Sequence, residues 1–335
     1  MTQLSRTSVV IGSYNGARYI EAQLESIARQ TATPLEVIIS DDRSTDATLD
    51  IAHGFAARVP FPVHVSQNVQ NLGFSENFLQ AGARAKGQFV AFCDQDDIWA
   101  PEKLSVCEAE FDADDQVVLT VHGARLIDRN GSPIGSFAQG PSETRTLPPL
   151  SYRPWDVFFG FSMVFRRSLL TGVDPGARCT DYVTGAPRLA HDRWILFLAN
   201  LTGATREIAL PLVDYRQHSE NLFGSKIRHQ TVARADILKE SDRYLGATEQ
   251  LLGIVDLISN SDLAQSTIFD REKALAFMGR SMRQQLHRNR LYNSKIPNQI
   301  FMWLRNISDG TYRNVNDGSF NVLSTLKDLR YIMNF

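Results

Sequence analysis

Residues 88–99 read Gln88-Phe-Val-Ala-Phe-Cys-Asp94-Gln-Asp-Asp97-Ile-Trp99. Phe89 to Cys93 are apolar without interruption, which predicts a strand buried on both faces. The strand then runs directly into three carboxylates over four positions. Such a crowd of like charges at a strand end is a candidate for a hard cation with oxygen ligands, Mg²⁺ or Mn²⁺. A solvated acidic turn, with Asp97 capping the next helix, is the alternative reading.

The same pattern recurs on the N-terminal side. Residues 7–13 (Thr-Ser-Val-Val-Ile-Gly-Ser) form a second apolar, β-branched run, broken at Asn15-Gly16. Leu35–Ser40 is a third, closed by Asp41-Asp42, and 62–66 a fourth. Helical spacing lies between them. Tyr19, Ile20, Leu24 and Ile27 share one face, Ser44-Thr45-Asp46 reads as a helix start, and 75–86 reads as a helix. Pro101 opens another helix, as proline can at a first position. Alternation of this kind predicts an α/β fold, a doubly wound and mostly parallel sheet with helices on both faces. In such sheets ligands bind beyond the carboxyl ends of the strands. Three polar clusters fall there: Ser13-Tyr14-Asn15, Asp41-Asp42 and Asp94–Asp97.

Further along, 117–127 predicts a strand, 129–157 a long Gly/Pro/Ser-rich loop, and 158–165 a buried strand or strand-like loop. Residues 190–201 read as a helix and 208–215 as a late strand. After Gly224 the character changes. Residues 228–258, 268–293 and 321–332 show helical spacing, so the expected division is 1–224 for the α/β domain and 225–335 for a helical C-terminal extension. There is no internal repeat.

The 335 residues are 43% hydrophobic and 21% charged, which excludes a disordered or disulfide-stapled chain. The net charge is −2, divided into −7 before residue 225 and +5 after it. That gives no case for nucleic-acid binding. Cys93, Cys107 and Cys179 are too few and scattered for a disulfide framework or a zinc site, and fit a reduced, cytoplasmic setting. No secretory leader pattern is present, and no apolar run approaches the ~18 residues of a membrane span.

Single residues leave two readings each. Tyr14 is a ring for a nucleotide base or a core tyrosine. Asp41-Asp42 is a ribose or base contact or a helix cap. Asp192, in His191-Asp192 at a helix start, is a proton acceptor favoured by the helix dipole or an N-cap. His218, in Tyr215-Arg216-Gln217-His218, is a metal or phosphate contact or an ordinary surface residue.

Taken together, Ser13-Tyr14-Asn15-Gly16, Ser40-Asp41-Asp42-Arg43-Ser44-Thr45-Asp46 and Phe92-Cys93-Asp94-Gln95-Asp96-Asp97-Ile98-Trp99 resemble glycosyltransferase family 2, over roughly residues 7–224. Gly160-Phe161-Ser162-Met163, His191-Asp192 and Tyr215–His218 continue the resemblance. It implies the GT-A fold and an inverting, metal-dependent transfer of a sugar from a nucleotide-diphosphate donor. By the same resemblance Ser13, Tyr14, Asn15, Asp41 and Asp94 hold the nucleotide, and Asp96, Asp94 and His218 the divalent metal, Mn²⁺ or Mg²⁺. Asp192 is the catalytic base, and Gly160, Phe161, Ser162 and Met163 form the donor/acceptor loop. Many members carry Glu-Asp where this chain has His191-Asp192. The variants around Asp94, Asp192 and His218 are similar to a subgroup described as bacterial rhamnosyltransferases. They imply dTDP-L-rhamnose as donor and a growing surface glycan, or a polyprenyl-diphosphate-linked glycan, as acceptor.

Two other readings compete: a UDP-hexose or hexosamine transferase, and a non-catalytic sugar-nucleotide binder or assembly protein of the same fold. A nucleotidyltransferase or a dinucleotide oxidoreductase expects a glycine-rich phosphate loop after the first strand, and Gly12-Ser13-Tyr14-Asn15-Gly16 is not one.

Residues 271–295 hold seven Lys/Arg and one acid. Leu275, Met278, Met282 and Leu286 share one stripe, and Arg280, Arg283, His287 and Arg290 another. This fits either a helix lying on an anionic membrane at the inner face of the cell, or a packed helix with a solvated basic face.

Overall fold

The computed structural model describes residues 3–182, 184–218, 234–265, 267–295 and 297–333. The chain divides into two compact units. The first comprises 1–149, 157–175 and 191–226, and the second 150–156, 176–190 and 227–335. The expected division at 224/225 falls outside the described residues. Two segments from within 1–224, namely 150–156 and 176–190, pack with the second unit.

The first unit is built on one sheet. Its strands are β1 (Thr7–Ser13), β2 (Glu36–Asp41), β3 (Val63–Gln67), β4 (Phe89–Asp94), β5 (Ile98–Trp99), β6 (Val117–Ile127), β7 (Pro133–Ser136), β8 (Arg145–Leu147), β9 (Met163–Arg166) and β10 (Ala204–Arg216). The order across the sheet is β8-β10-β6-β9-β4-β1-β2-β3, with β5 paired to β10 and β7 to β6. β4, β1, β2 and β3 run parallel to one another, and β6 runs parallel to β10. β9 lies antiparallel between β4 and β6. The sheet is therefore mixed and mostly parallel, as expected, with the antiparallel insertion coming from the 158–165 run.

Helices cover both faces because β1 alternates. Val9 and Ile11 share a core with Ile20, Leu24 and Ile27 of α1 (Ile20–Ala28), Phe55 of α2 (Thr48–Ala56) and Leu104 of α4 (Lys103–Ala113). The opposite face meets α3 (Phe74–Gly82), where a Cβ on Gly12 would lie 3.1 Å from the Phe78 ring. α5 (His191–Thr202) packs on α3. Val9, Val10 and Ile11 have no exposed surface, and each contributes roughly 1.5–3 kcal/mol by burial.

Two local readings change. The 129–157 loop contains β7 and β8, short strands without the apolar periodicity that marks a strand: β7 is Pro-Ile-Gly-Ser and fully exposed, and β8 is only Arg-Thr-Leu. β10 begins at Ala204 rather than 208, because Thr205-Arg206-Glu207 carries no apolar run to mark it. Pro211 sits at an irregularity in the β6–β10 ladder, where the missing N–H is tolerated.

The second unit contains α6 (Arg234–Ser259), α7 (Arg271–Tyr292), α8 (Asn298–Ser308) and α9 (Val322–Met333). Asp270 caps α7, accepting from the Lys273 N–H at 3.0 Å. α7 packs on α6 with Ala274, Phe277, Met278, Ser281 and Leu291 buried. Only Met278 of the expected apolar stripe belongs to that fully buried set; Leu275, Met282 and Leu286 are half-buried. The helix is packed on one side, with Arg280, Arg283 and Arg290 exposed. α8 has no counterpart in the sequence reading. Inside this unit Asp328 is fully buried and accepts bidentately from Arg288 at 2.6 and 2.9 Å. Tyr292 and Tyr312 also donate to it.

Among the described residues, no helix is long and apolar enough to cross a membrane.

Candidate functional site

Register places the site. Gly12 pairs with Asp94, and Ser13 with Asp41, so the ends of β1, β2 and β4 stand level and their polar residues gather at one rim. Ser13 Oγ donates to Asp41 Oδ2 at 3.1 Å. Asp41 is wholly buried and also accepts from Ser44 N–H (2.8 Å), Ser44 Oγ and Gln67 Nε2 (3.1 Å). Its acceptor positions are filled by the fold. Asp42 is likewise engaged, accepting from Leu72 N–H (2.7 Å), Gly73 N–H (2.8 Å) and Asn68 Nδ2 (2.9 Å). Neither carboxylate caps α2. Asn15, at φ 47°, accepts from the Thr45 N–H at 2.8 Å and so ties the β1 loop to the β2 loop.

Tyr14 is half exposed. Its ring lines a shallow depression of about 330 Å³ with Arg43, Val69, Gln70 and Asn71. It is not a core tyrosine. Its backbone is held by Gln95, whose Oε1 accepts from Tyr14 N–H at 2.9 Å and whose Nε2 donates to Tyr14 O at 3.0 Å. A side-chain amide can do both at once, accepting at its oxygen and donating from its nitrogen. Gly16 gives Gln95 room, because a Cβ there would lie 2.1 Å from Oε1.

The acidic cluster is not a solvated turn. Asp97 has no exposed surface and accepts from the Arg216 N–H at 3.0 Å, while its Oδ2 is buried without a partner among the described residues. Burial, then the charges of Asp96 and Asp94, hold the Asp97 carboxyl well above the usual range. Asp94 is pushed up to about 7 by loss of hydration, then by Asp96 and Asp192. Asp96 Oδ2 lies 2.8 Å from His218 Nε2. Tyr19 stacks on the His218 ring at 4.8 Å, and the Arg216 guanidinium lies 5.0 Å over Tyr19. Arg216 Nε donates to Asp96 O at 2.7 Å, which fixes the acidic loop to the end of β10.

Asp192 is half-buried in the first turn of α5, and its Oδ1 accepts from Arg193 N–H at 2.7 Å. His191 beside it is buried and stacked on Phe78 (4.5 Å, 13°), with Phe92 edge-on at 5.1 Å. A Cβ on Gly160 would lie 2.8 Å from His191 Nε2. Gly160–Ser162 form a 3₁₀ turn leading into Met163 at the start of β9, and Phe161 stacks on Tyr215 at 4.5 Å. Lys103 Nζ, with no exposed surface, donates to Phe161 O at 2.7 Å and sits 3.6 Å over the Trp99 ring. Burial brings its pKa down to about 8.

Gln95, Arg216, Lys103, Tyr19 and Gly16 were given no role at the site from the sequence. Gln95 had a signal, an amide between two carboxylates. The others become visible only once β4, β10 and α4 are adjacent. Among the described residues no three His, Cys, Asp or Glu side chains are arranged to hold a metal ion together. Asp96 and His218 form a pair of donors.

The family model described as Glycosyl transferase family 2 matches residues 8–172. Residues 8–172 are thus a glycosyltransferase family 2 domain. An uncharacterized glycosyltransferase of Nostoc sp. is 29% identical over 248 residues, 72% of each protein. The dTDP-rhamnosyl transferase RfbG of Shigella flexneri is 35% identical over 98 residues, 28% of this chain and 34% of that enzyme. The S. aureus TarS 1–349 structure in complex with UDP superposes with a TM-score of 0.54 at 20% identity, covering 98% of this chain and 92% of that one. This likeness shows the GT-A fold, with the mixed sheet and the helical C-terminal region.

Proposed function

We propose that this family 2 protein moves a sugar from a nucleoside-diphosphate donor to a hydroxyl of a growing bacterial surface glycan, with inversion at the anomeric carbon. The observation that supports this reading is the Asp96–His218 pair, at 2.8 Å, beside the rim where β1, β2 and β4 end. Residues 1–224 would perform the transfer and 225–335 would form an accessory helical region.

In this reading the base of the donor stacks on Tyr14 above the depression beside Arg43 and Asn71, and Ser13, Asn15 and Asp41 hold the rim to which it binds. Asp41 acts by fixing Ser13, since its acceptor positions are filled. Asp96 and His218 fit a divalent cation, Mn²⁺ or Mg²⁺, because a mixed N/O pair supplies part of a coordination shell that such ions complete with substrate phosphates and water. Asp94 supports it. When bound, the cation neutralises charge on the leaving diphosphate. Asp192 takes the proton of the acceptor hydroxyl. The freed oxygen forms its bond to the anomeric carbon, and the bond to the diphosphate oxygen breaks, its electron pair leaving with the nucleotide. Gly160–Met163 place the donor sugar and acceptor beside Asp192.

The name of the Shigella relative supports dTDP-L-rhamnose as donor, and the UDP bound to TarS supports a UDP-hexose or hexosamine. Thermal unfolding with dTDP, UDP, GDP and CDP, each with and without Mn²⁺, separates them, since a ligand of the folded state raises the midpoint. One nucleotide stabilising strongly and only with metal is the expected result. If none of the four, nor an intact sugar nucleotide, shifts the midpoint, the reading fails.

A further inference from the structure

The second unit contains a cavity of about 350 Å³, within the range of small-molecule sites (~300–1,000 Å³). Its lining combines rings with planar polar groups. Trp155, Tyr182 and Tyr244 meet mutually, with centroids 4.6, 4.7 and 5.1 Å apart. Trp155 Nε1 is buried and has no hydrogen-bond partner among the described residues. Gln285 and Gln284 face the same space from α7, and Gln284 already donates to Arg313 O at 2.6 Å. The charges lining the cavity are mostly neutralised. Arg153 pairs with Asp156 at 2.8 Å, Arg288 with Asp328 at 2.6 Å and Lys327 with Glu240 at 3.7 Å.

A phosphate or nucleotide would be met by several unpaired cations; this lining presents one, Arg313, that pairs with no carboxylate among the described residues. A flat apolar ligand would leave the indole N–H and the amides unsatisfied. A polyhydroxylated ring suits the lining, since its C–H face covers aromatic surface while its hydroxyls use fixed donors and acceptors. We propose that this cavity is a saccharide-binding site, separate from the transfer site, taking one sugar unit of the acceptor glycan. The ligand class is argued from the cavity alone. Its role as acceptor subsite rests on the transferase reading above.

The test is saturation-transfer NMR on the full chain with N-acetyl-D-glucosamine, L-rhamnose and D-glucuronate. Each is used at about 10 mM, ten times a Kd of about 1 mM. At least one should bind. Trp155→Phe, which keeps the ring and deletes the donor, and Gln285→Ala should each weaken it about two- to tenfold. The midpoint shift caused by nucleotide with Mn²⁺ should be unchanged in both variants, which shows that they fold and that the first unit is intact. Three results overturn the proposal: no saccharide signal, equal signal in both variants and wild type, or displacement of the sugar by inorganic phosphate. If nucleotides leave the wild type unshifted while saccharide binding depends on Trp155 and Gln285, the transferase reading falls and the site stands.

Discussion

Gly160→Ala tests how the first turn of α5 is held. The Cβ it adds would sit 2.8 Å from His191 Nε2, closer than carbon and nitrogen approach without bonding. The imidazole cannot swing away cheaply, because Phe78 stacks on one side at 4.5 Å and Phe92 stands edge-on at 5.1 Å. Overpacking of this kind costs roughly 1–3 kcal/mol. The alanine also restricts the unfolded chain, which returns about 0.4–1 kcal/mol. The net is a loss of about 0.5–2 kcal/mol. For a domain of 150–250 residues at ~2–4 °C per kcal/mol, the unfolding midpoint falls by about 1–8 °C. In a His191→Ala background the clash is gone and only the unfolded-state term remains, so the same Gly160→Ala change should raise the midpoint. The double-mutant cycle by thermal or urea unfolding therefore shows a change of sign. If Gly160→Ala is destabilising by the same amount in both backgrounds, His191 is not what the glycine accommodates, and the account of how Asp192 is positioned is wrong.

Asp192→Asn should keep the nucleotide-induced midpoint shift and lose about 10²–10⁴-fold in transfer rate, as expected for removal of a general base; normal turnover would move the base elsewhere. Tyr14→Ala should weaken nucleotide binding by roughly 1–3 kcal/mol, by analogy with base stacking on aromatics elsewhere, with the unfolding midpoint of the free protein little changed, read by calorimetry. Asp328→Ala strands the buried Arg288 guanidinium and should cost about 3–5 kcal/mol, measured by urea unfolding. Lys103 has its pKa lowered from 10.5 to about 8 by burial, so the folded state disfavours its charged form. The unfolded chain then binds more protons between pH 8 and 10.5, and wild-type stability relative to Lys103→Met should rise with pH across that window, by up to about 3 kcal/mol. A flat difference would mean that Lys103 is solvated.

The parallel half of the sheet was legible because β1, β2 and β4 are continuous apolar runs, and their carboxyl ends announce themselves by an abrupt change to polar residues. β7 and β8 were not, because exposed edge strands need no apolar periodicity. The start of β10 was not legible either, because Thr205-Arg206-Glu207 is polar and precedes the apolar run. At the site, chemistry-bearing residues were visible one at a time, whereas the groups that aim them were not. Arg216 reads as an ordinary arginine until β10 brings it beside the 94–97 loop, and Gly160, though assigned to the donor/acceptor loop by resemblance, shows no link to His191 until the two lie together. The α7 stripe failed for a related reason: periodicity fixes which residues share a side, and the neighbouring helix decides which side is covered.

The anchoring of the acidic loop by Arg216 bears on how the molecule can be recombined. The last residue of β10 binds the backbone of Asp96 and the side chain of Asp97, and His218 follows two positions later on the same strand exit. A chimera that exchanges the helical region with that of a relative must therefore place its crossover beyond His218. A joint drawn where the hydrophobic pattern changes, but a few residues too early, would import a foreign strand exit into the centre of the site. Fusion libraries built across 204–218 should be enriched for folded but inactive clones, and those joined after 218 for active ones.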